Sequence, residues 1–268
     1  MRPDLAFSHA ASAQVLTSMR EQPTFQLSVD TENLPQGLLA ADAAVAAGVT
    51  IVEMGTPLIK FEGAKHVVPA FRKRFPGTLL LADLKTMDGG GGEARVVFAG
   101  GGDIVDFLAL AGVDTARAIC KVRDDFRRSE PERPRLVFAD ILLPHQGAHA
   151  VEVACEMLDA GVDGIVVHLQ FDARTADPNL SRSGYLADIV GSVQEKVGDR
   201  APVQAVGGLT VEQACTFARA GILALVISAN LGVADTNVGL RLPQQEIQRR
   251  ISTFMREVRA TRPGASKA

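Results

Sequence analysis

Eight short apolar runs, each followed by a longer amphipathic segment, constrain this chain more than any other feature of its 268 residues. The runs are Phe25–Asp30, Thr50–Met54, Leu79–Leu84, Ile104–Leu108, Leu136–Ile141, Gly164–His168, Val203–Val206 and Ala224–Ser228. Each is nearly continuous rather than alternating, the pattern of parallel strands covered on both faces. Between them Leu38–Ala47, Gly92–Ala99, Ala148–Ala160 and Val211–Ala220 read as amphipathic crossover helices. Three connections carry Ala47-Gly48-Val49, Ala160-Gly161-Val162 and Ala220-Gly221-Ile222, where the glycine supplies a left-handed C-cap before the next strand. Eight strand–helix units in a chain of this length predict a (β/α)₈ TIM barrel, a single α/β domain. The rival is a doubly wound open sheet, but no strand is followed by GxGxxG and the count of eight favours the barrel.

The barrel is expected over residues 25–260, with a C-terminal tail over 261–268 and an N-terminal extension over 1–24. The extension reads either as a helix capping the barrel floor or as a mobile segment. Arg123–Pro134 is dense in charge and is expected to be a solvated helix end and loop. The glycines of Gly89–Gly92 are expected to form a flexible loop.

Composition narrows the function. Lys+Arg 28 against Asp+Glu 31 leaves a net charge of -3, which exerts no general pull on nucleic acid or an anionic membrane. Trp is absent, Tyr185 is the single tyrosine and aromatics make up 5%, too little for a base-stacking platform. Cys120, Cys155 and Cys215 are far apart and contain no CxxC, which argues against a disulfide framework or a thiolate zinc site and for a reducing cytosol. Asp4, His9 and Gln14 interrupt the N-terminal segment, so it lacks the apolar core of a signal peptide, and no stretch has the length of a spanning helix. A cytoplasmic protein with its chemistry in a local site is expected.

In a barrel of this kind that site lies at the C-terminal ends of the strands. There the sequence places Asp30, Glu53, Asp83-Leu84-Lys85-Thr86-Met87-Asp88, Asp140, His168, Gly207-Gly208 and Ser228-Ala229-Asn230. Charges that close apolar runs are costly unless paired or coordinated, so their convergence on one rim marks a polar site. With period-two alternation Asp83 and Lys85 point into the mouth while Leu84 packs outward. A lysine between carboxylates stays protonated and can stabilise a developing enediolate. Glu53 and Asp83, from neighbouring strands, can jointly hold a hard divalent cation; a buried salt-bridge network is the other reading. His168 is either a general acid or base or a satisfied rim residue. Gly207-Gly208 is either a tight turn or a phosphate cradle of backbone N–H groups. Asp140 is ambiguous between the site and a helix cap, and Asp106 carries little signal.

Val52-Glu53-Met54-Gly55-Thr56-Pro57-Leu58-Ile59-Lys60-Phe61-Glu62-Gly63 followed by Ala82-Asp83-Leu84-Lys85-Thr86-Met87-Asp88 resembles 3-hexulose-6-phosphate synthase. It is also similar to 3-keto-L-gulonate-6-phosphate decarboxylase, a relative in the orotidine-monophosphate decarboxylase superfamily. The resemblance runs from about Phe25 to Arg259. It implies a homodimeric barrel acting on a sugar phosphate through an enediolate stabilised by Mg²⁺ (or Mn²⁺), with Asp30, Glu53, Asp83 and Lys85 lining the site. It also implies that Asp88 reaches into the partner's site. The decarboxylases resemble His-Arg-Ser-Arg-Asp after strand six, whereas this chain has His168-Leu169-Gln170-Phe171-Asp172; the spacing of His168 and Asp172 is that of the synthases. The family places Gly-Arg or Gly-Gly after strand eight to hold phosphate, and here Ala229-Asn230-Leu231-Gly232 stands instead.

The expectation is therefore a lyase joining ribulose 5-phosphate and formaldehyde into 3-hexulose 6-phosphate. In it His168 acts as base, Lys85 stabilises the enediolate, Asp30 and Asp88 orient groups, and Gly207, Gly208, Asn230 and Asp172 contact substrate or phosphate. A decarboxylase using the same intermediate, a family member acting on another sugar phosphate, and a non-catalytic phosphosugar-binding barrel are the alternatives.

Overall fold

The period-two pleat of the strands explains how the barrel is filled. The computed structural model describes residues 10–228 and 242–261. Eight parallel strands close in sequence order, with β1 pairing both β2 and β8. They are β1 Thr24–Val29, β2 Ile51–Met54, β3 Leu79–Asp83, β4 Ile104–Leu108, β5 Leu136–Leu143, β6 Gly164–Leu169, β7 Val203–Val206 and β8 Ala224–Ser228. Every expected strand is present, with ends displaced by at most two residues, and the open-sheet alternative is excluded by the β1–β8 ladder.

One face of each strand packs outward. Leu27, Val29, Val52, Met54, Leu80, Ala82, Val105, Phe107, Ile165 and Val167 join the shell of core between barrel and helices. The other face points inward, and its lower layer is a separate apolar cluster of Ile51, Leu81, Ile104, Leu136, Phe138, Val166 and Ala224. Two residues further along the same strands the inward face turns polar: Glu53 follows Ile51, Asp83 follows Leu81, Asp106 follows Ile104 and Asp140 follows Phe138. The barrel thus has an oily floor and a charged mouth.

The helices that follow β1 to β3 are α2 Leu34–Ala47, α3 Thr56–Glu62 with α4 Ala64–Arg74, and α5 Gly90–Ala99, all preceded in the chain by α1 Ala10–Glu21. Further on are α6 Gly112–Ser129, α7 Ala150–Asp159, α8 Phe171–Ala176, α9 Asn179–Arg182, α10 Tyr185–Val197, α11 Val211–Arg219 and α12 Gln244–Ala260. The anticipated C-cap glycines Gly48, Gly161 and Gly221 have φ of 86°, 104° and 83°. The N-terminal extension forms the helix α1, whose Met19 packs into the floor cluster. Ser12 fixes it there, accepting from the Arg135 amide at 3.0 Å and donating to the Arg135 carbonyl at 3.2 Å.

Two expectations are corrected. Gly90–Gly92 open α5 rather than a loop, because a Cβ at Gly90 would lie 2.8 Å from Ile119 of α6; the bare backbone lets the two helices meet. The charged stretch beginning at Arg123 is the helix end and loop expected, but it is not solvated throughout. Arg123 and Arg127, one turn apart on α6, are buried and both reach Asp163 at the start of β6, each at 2.8 Å. Asp163 also accepts from the Val137 amide at 2.9 Å. Removing this carboxylate leaves the two buried guanidinium groups only the half-exposed Asp124 as a carboxylate partner, so Asp163→Ala is expected to cost about 3 kcal/mol. Urea unfolding checks this, and a midpoint within error of the parent would show the pairing to be energetically idle.

Candidate active site

The inward charges meet in a cavity of about 490 Å³ at the C-terminal ends of the strands. That volume falls within the roughly 300–1,000 Å³ of small-molecule sites. Asp30, Glu53, Asp83, Lys85, His168, Asp172, Gly207 and Gly208 all line it, as the sequence led one to expect. Asp140 resolves to the site: it does not cap a helix. Asn230 lies outside the described residues. Asp88 is exposed and outside the cavity, its Oδ1 accepting from the Gly89 amide at 2.7 Å.

Lys85 is the centre of the arrangement. Its Nζ donates to Asp83 Oδ1 at 2.8 Å and to Asp140 Oδ2 at 2.6 Å. The residue has φ of 49°, a left-handed conformation that a side chain other than glycine adopts only when surrounding contacts hold it. Burial alone would lower the Lys85 pKa, but Asp140 and Asp83 raise it well above the ordinary lysine value, so the group is a fixed cation. Asp140 answers in kind. Burial opposes its ionisation, yet Lys85 and His168 hold its pKa down at about 2. The same Oδ2 lies 3.0 Å from His168 Nδ1. An ionised Asp140 therefore favours the proton on Nδ1 and leaves Nε2 as the acid–base atom.

The remaining acids are less well compensated. Glu53 accepts from Gln26 Nε2 at 2.6 Å and from Ser28 Oγ at 2.8 Å. Even so, burial and the charges of Asp83 and Asp30 push its pKa up to about 8. Burial and Asp83 raise Asp30 as well. Thr56, the first residue of α3, donates to Asp83 Oδ2 at 2.6 Å, so every oxygen of Asp83 is engaged. Asp106 carries little signal in the sequence because it sits inside the run IVDFL, yet the structure places it in the site. It is paired in register with Asp83, it is buried, and its Oδ1 has no hydrogen-bond partner. The same is true of Asp140 Oδ1. Asp83, Asp106 and Asp140 each bring an oxygen to within 4.8 Å of the others. Gln26, Thr56 and Arg174 line the cavity as well, without a signal in the sequence reading. A polar residue two positions after an inward apolar one was the available signal for Asp106.

Three comparisons bear on the chain. The sequence pattern of the family described as Orotidine 5'-phosphate decarboxylase / HUMPS matches residues 23–181. A 3-hexulose-6-phosphate synthase of Mycobacterium gastri is 31% identical over 206 residues, 74% of this chain and 90% of that protein. A probable 3-keto-L-gulonate-6-phosphate decarboxylase of Haemophilus influenzae is 24% identical, covering 73% of this chain and 83% of that one. A solved structure of a 3-hexulose-6-phosphate synthase superposes with a TM-score of 0.67 at 26% identity, covering 86% of this chain and 99% of its own.

Burial and the charge of Asp140 push the Asp106 carboxyl well above its usual range despite Lys85. A carboxyl whose pKa rises on folding opposes folding at every pH above its unfolded value of about 3.9. In metal-free protein at pH 7, Asp106→Asn is therefore expected to raise stability by about 1–2 kcal/mol. The readout is a higher urea midpoint with unchanged slope; a lower midpoint would show that Lys85 gains more from this carboxylate than the site loses to it.

Proposed function

Because the chain belongs to the Orotidine 5'-phosphate decarboxylase / HUMPS family, we propose that it is an aldol-type carbon–carbon lyase joining ribulose 5-phosphate and formaldehyde into 3-hexulose 6-phosphate. The observation that carries this reading is the shared oxygen of Asp140, which binds the Lys85 ammonium and orients His168 beside it. A base and a fixed cation a short distance apart are what proton abstraction next to a carbonyl requires. His168 Nε2 takes the proton from the carbon adjoining the ketone. Lys85 stabilises the negative oxygen of the enediolate that results. The enediolate carbon forms its bond to the formaldehyde carbon, and the alkoxide created there takes up a proton.

The donor set fits a hard divalent cation, Mg²⁺ or Mn²⁺. All the candidate donors are carboxylate oxygens, two of them buried without partners. Asp83 is the member common to the expected pair with Glu53 and to the triad with Asp106 and Asp140, and Glu53 and Asp106 stand on the strands to either side of it. A bound cation would supply Lewis-acid polarisation of the substrate's ketone and neighbouring hydroxyl. Supplying ribulose 5-phosphate, formaldehyde and Mg²⁺ is expected to yield hexulose phosphate. Excess chelator is expected to stop the reaction and Mn²⁺ or Mg²⁺ to restore it. Turnover unaffected by chelator would overturn the cation, and no hexulose phosphate with the cation present would overturn the aldol assignment.

Phe171 favours condensation over decarboxylation, because it stands where the decarboxylases place a protonating Arg. Free thiols at Cys120, Cys155 and Cys215 support a cytoplasmic setting, and no helix among the described residues is long and apolar enough to cross a membrane.

The proposal includes a homodimer with shared sites. Asp88 and the 54%-exposed Met87 follow β3, while Phe61 and Leu110, exposed by 68% and 45%, lie in the segments after β2 and β4. An apolar rim around an acid that its own cavity does not use suits a second copy of the chain. Mixing Asp88→Ala with Lys85→Ala subunits, each inactive alone, is expected to regenerate activity, since each hybrid dimer has one site with both residues intact. No recovery in verified hybrids would reject the shared site.

A further inference from the structure

Among the described residues Arg174 is the partly buried cation of the cavity that no carboxylate pairs with. It lies on α8, directly after β6, and its guanidinium stacks 4.8 Å over the Phe171 ring. Its Nε is buried and has no hydrogen-bond partner, and among the described residues no carboxylate lies within ion-pairing distance of it, Asp30 acting on it only from farther away. The fully buried arginines behave differently: Arg123, Arg127 and Arg135 are each committed to a carboxylate and a backbone carbonyl or a second carboxylate. A buried donor without an acceptor is costly and calls for an explanation.

The position of the guanidinium provides one. Gly207 and Gly208, at the end of β7, have φ of 147° and 67°, and a Cβ built on Gly208 would lie 2.8 Å from Arg174 Nη1. The absence of side chains there gives the guanidinium room and leaves bare backbone beside it, a combination suited to an anion. Lys85, by contrast, is spent on Asp83 and Asp140. Lys60, the remaining lining cation, is exposed and stands on α3 after β2, across the barrel from β7.

We infer that Arg174 receives the phosphate of the substrate, gripping it against Gly207 and Gly208 from the segment after strand six. This rests on the reading of the cavity as a sugar-phosphate site. A planar guanidinium meets a phosphate monoester through two parallel N–H···O bonds, and the Phe171 ring holds it flat for that contact.

Calorimetric titration of the full chain with inorganic phosphate, and separately with ribulose 5-phosphate, tests the assignment. Arg174→Ala is expected to weaken both roughly 10- to 100-fold, Arg174→Lys to weaken them less, and Lys60→Ala to stay within about twofold, since it keeps the whole anion pocket. Arg174→Gln, which retains the stem, serves where the alanine variant does not fold. Near-parental affinity for both probes in a folded Arg174→Ala protein overturns the proposal, as does a greater loss from Lys60→Ala. Parental protein that binds phosphate but not ribulose 5-phosphate would refute the proposed substrate while leaving Arg174 in its role. Parental protein that binds neither refutes Arg174.

Discussion

Closing eight strands into a barrel forces the inward side chains of all of them into one space, and the upper half of that space is occupied mainly by acids. Glu53, Asp83, Asp106 and Asp140 come from four consecutive strands and cannot separate, because the hydrogen-bond ladder fixes their register. Lys85 is what makes this tolerable. Its ammonium joins Asp83 to Asp140 across the mouth, and the left-handed turn at its own backbone is the local cost of placing it there. Asp140 then orients His168, so a single ion-paired lysine organises both the electrostatics and the acid–base geometry of the site.

The compensation is incomplete by design of the strands rather than by accident of one side chain. One lysine faces several buried carboxyls, and those it does not hydrogen-bond, Glu53, Asp30 and Asp106, are the ones whose protons are held more tightly than normal. A site in this state is short of positive charge, and a cation bound there would favour the ionised carboxylates. The stability of the unliganded protein and the chemistry it carries out therefore pull in opposite directions, a trade seen wherever like charges are gathered for catalysis.

The fold was legible because its signals are local. Near-continuous apolar runs and Ala-Gly closures are written in stretches of a few residues, and the pleat converts them into a barrel. The strand-end charges were legible for the same reason: Asp83 and Lys85 two residues apart must share a face. What escaped the sequence depends on partners distant in the chain. Arg123 and Arg127 look like solvent-facing charge until Asp163, 40 and 36 residues away, is brought beneath them. Asp106 hides within an apolar run, and only the barrel's inside and outside distinguish it from Val105 and Phe107. Arg174 belongs to a short helix after β6, and its meeting with Gly208 is a contact between neighbouring strand ends that no spacing announces.

The distribution of charge around the mouth gives the cavity a direction. Buried carboxylates dominate the ends of β1 to β5, whereas beyond the ends of β6 and β7 lie Arg174, the two bare glycines and a single exposed acid, Asp172. A phosphate dianion is repelled from the first group and drawn to the second, so a phosphorylated sugar has one electrostatically favoured orientation. In the proposed site its phosphate would lie toward β7 and its carbonyl end among Asp83, Lys85 and His168. A substrate entering the other way would set phosphate against Asp83 and Asp106 and leave Arg174 without an acceptor. In a polar, partly buried cavity both penalties act together, and orientation is fixed before any bond changes. His168 stands between the two regions, at the end of β6, where the proposed phosphate anchor would present a substrate carbon to it.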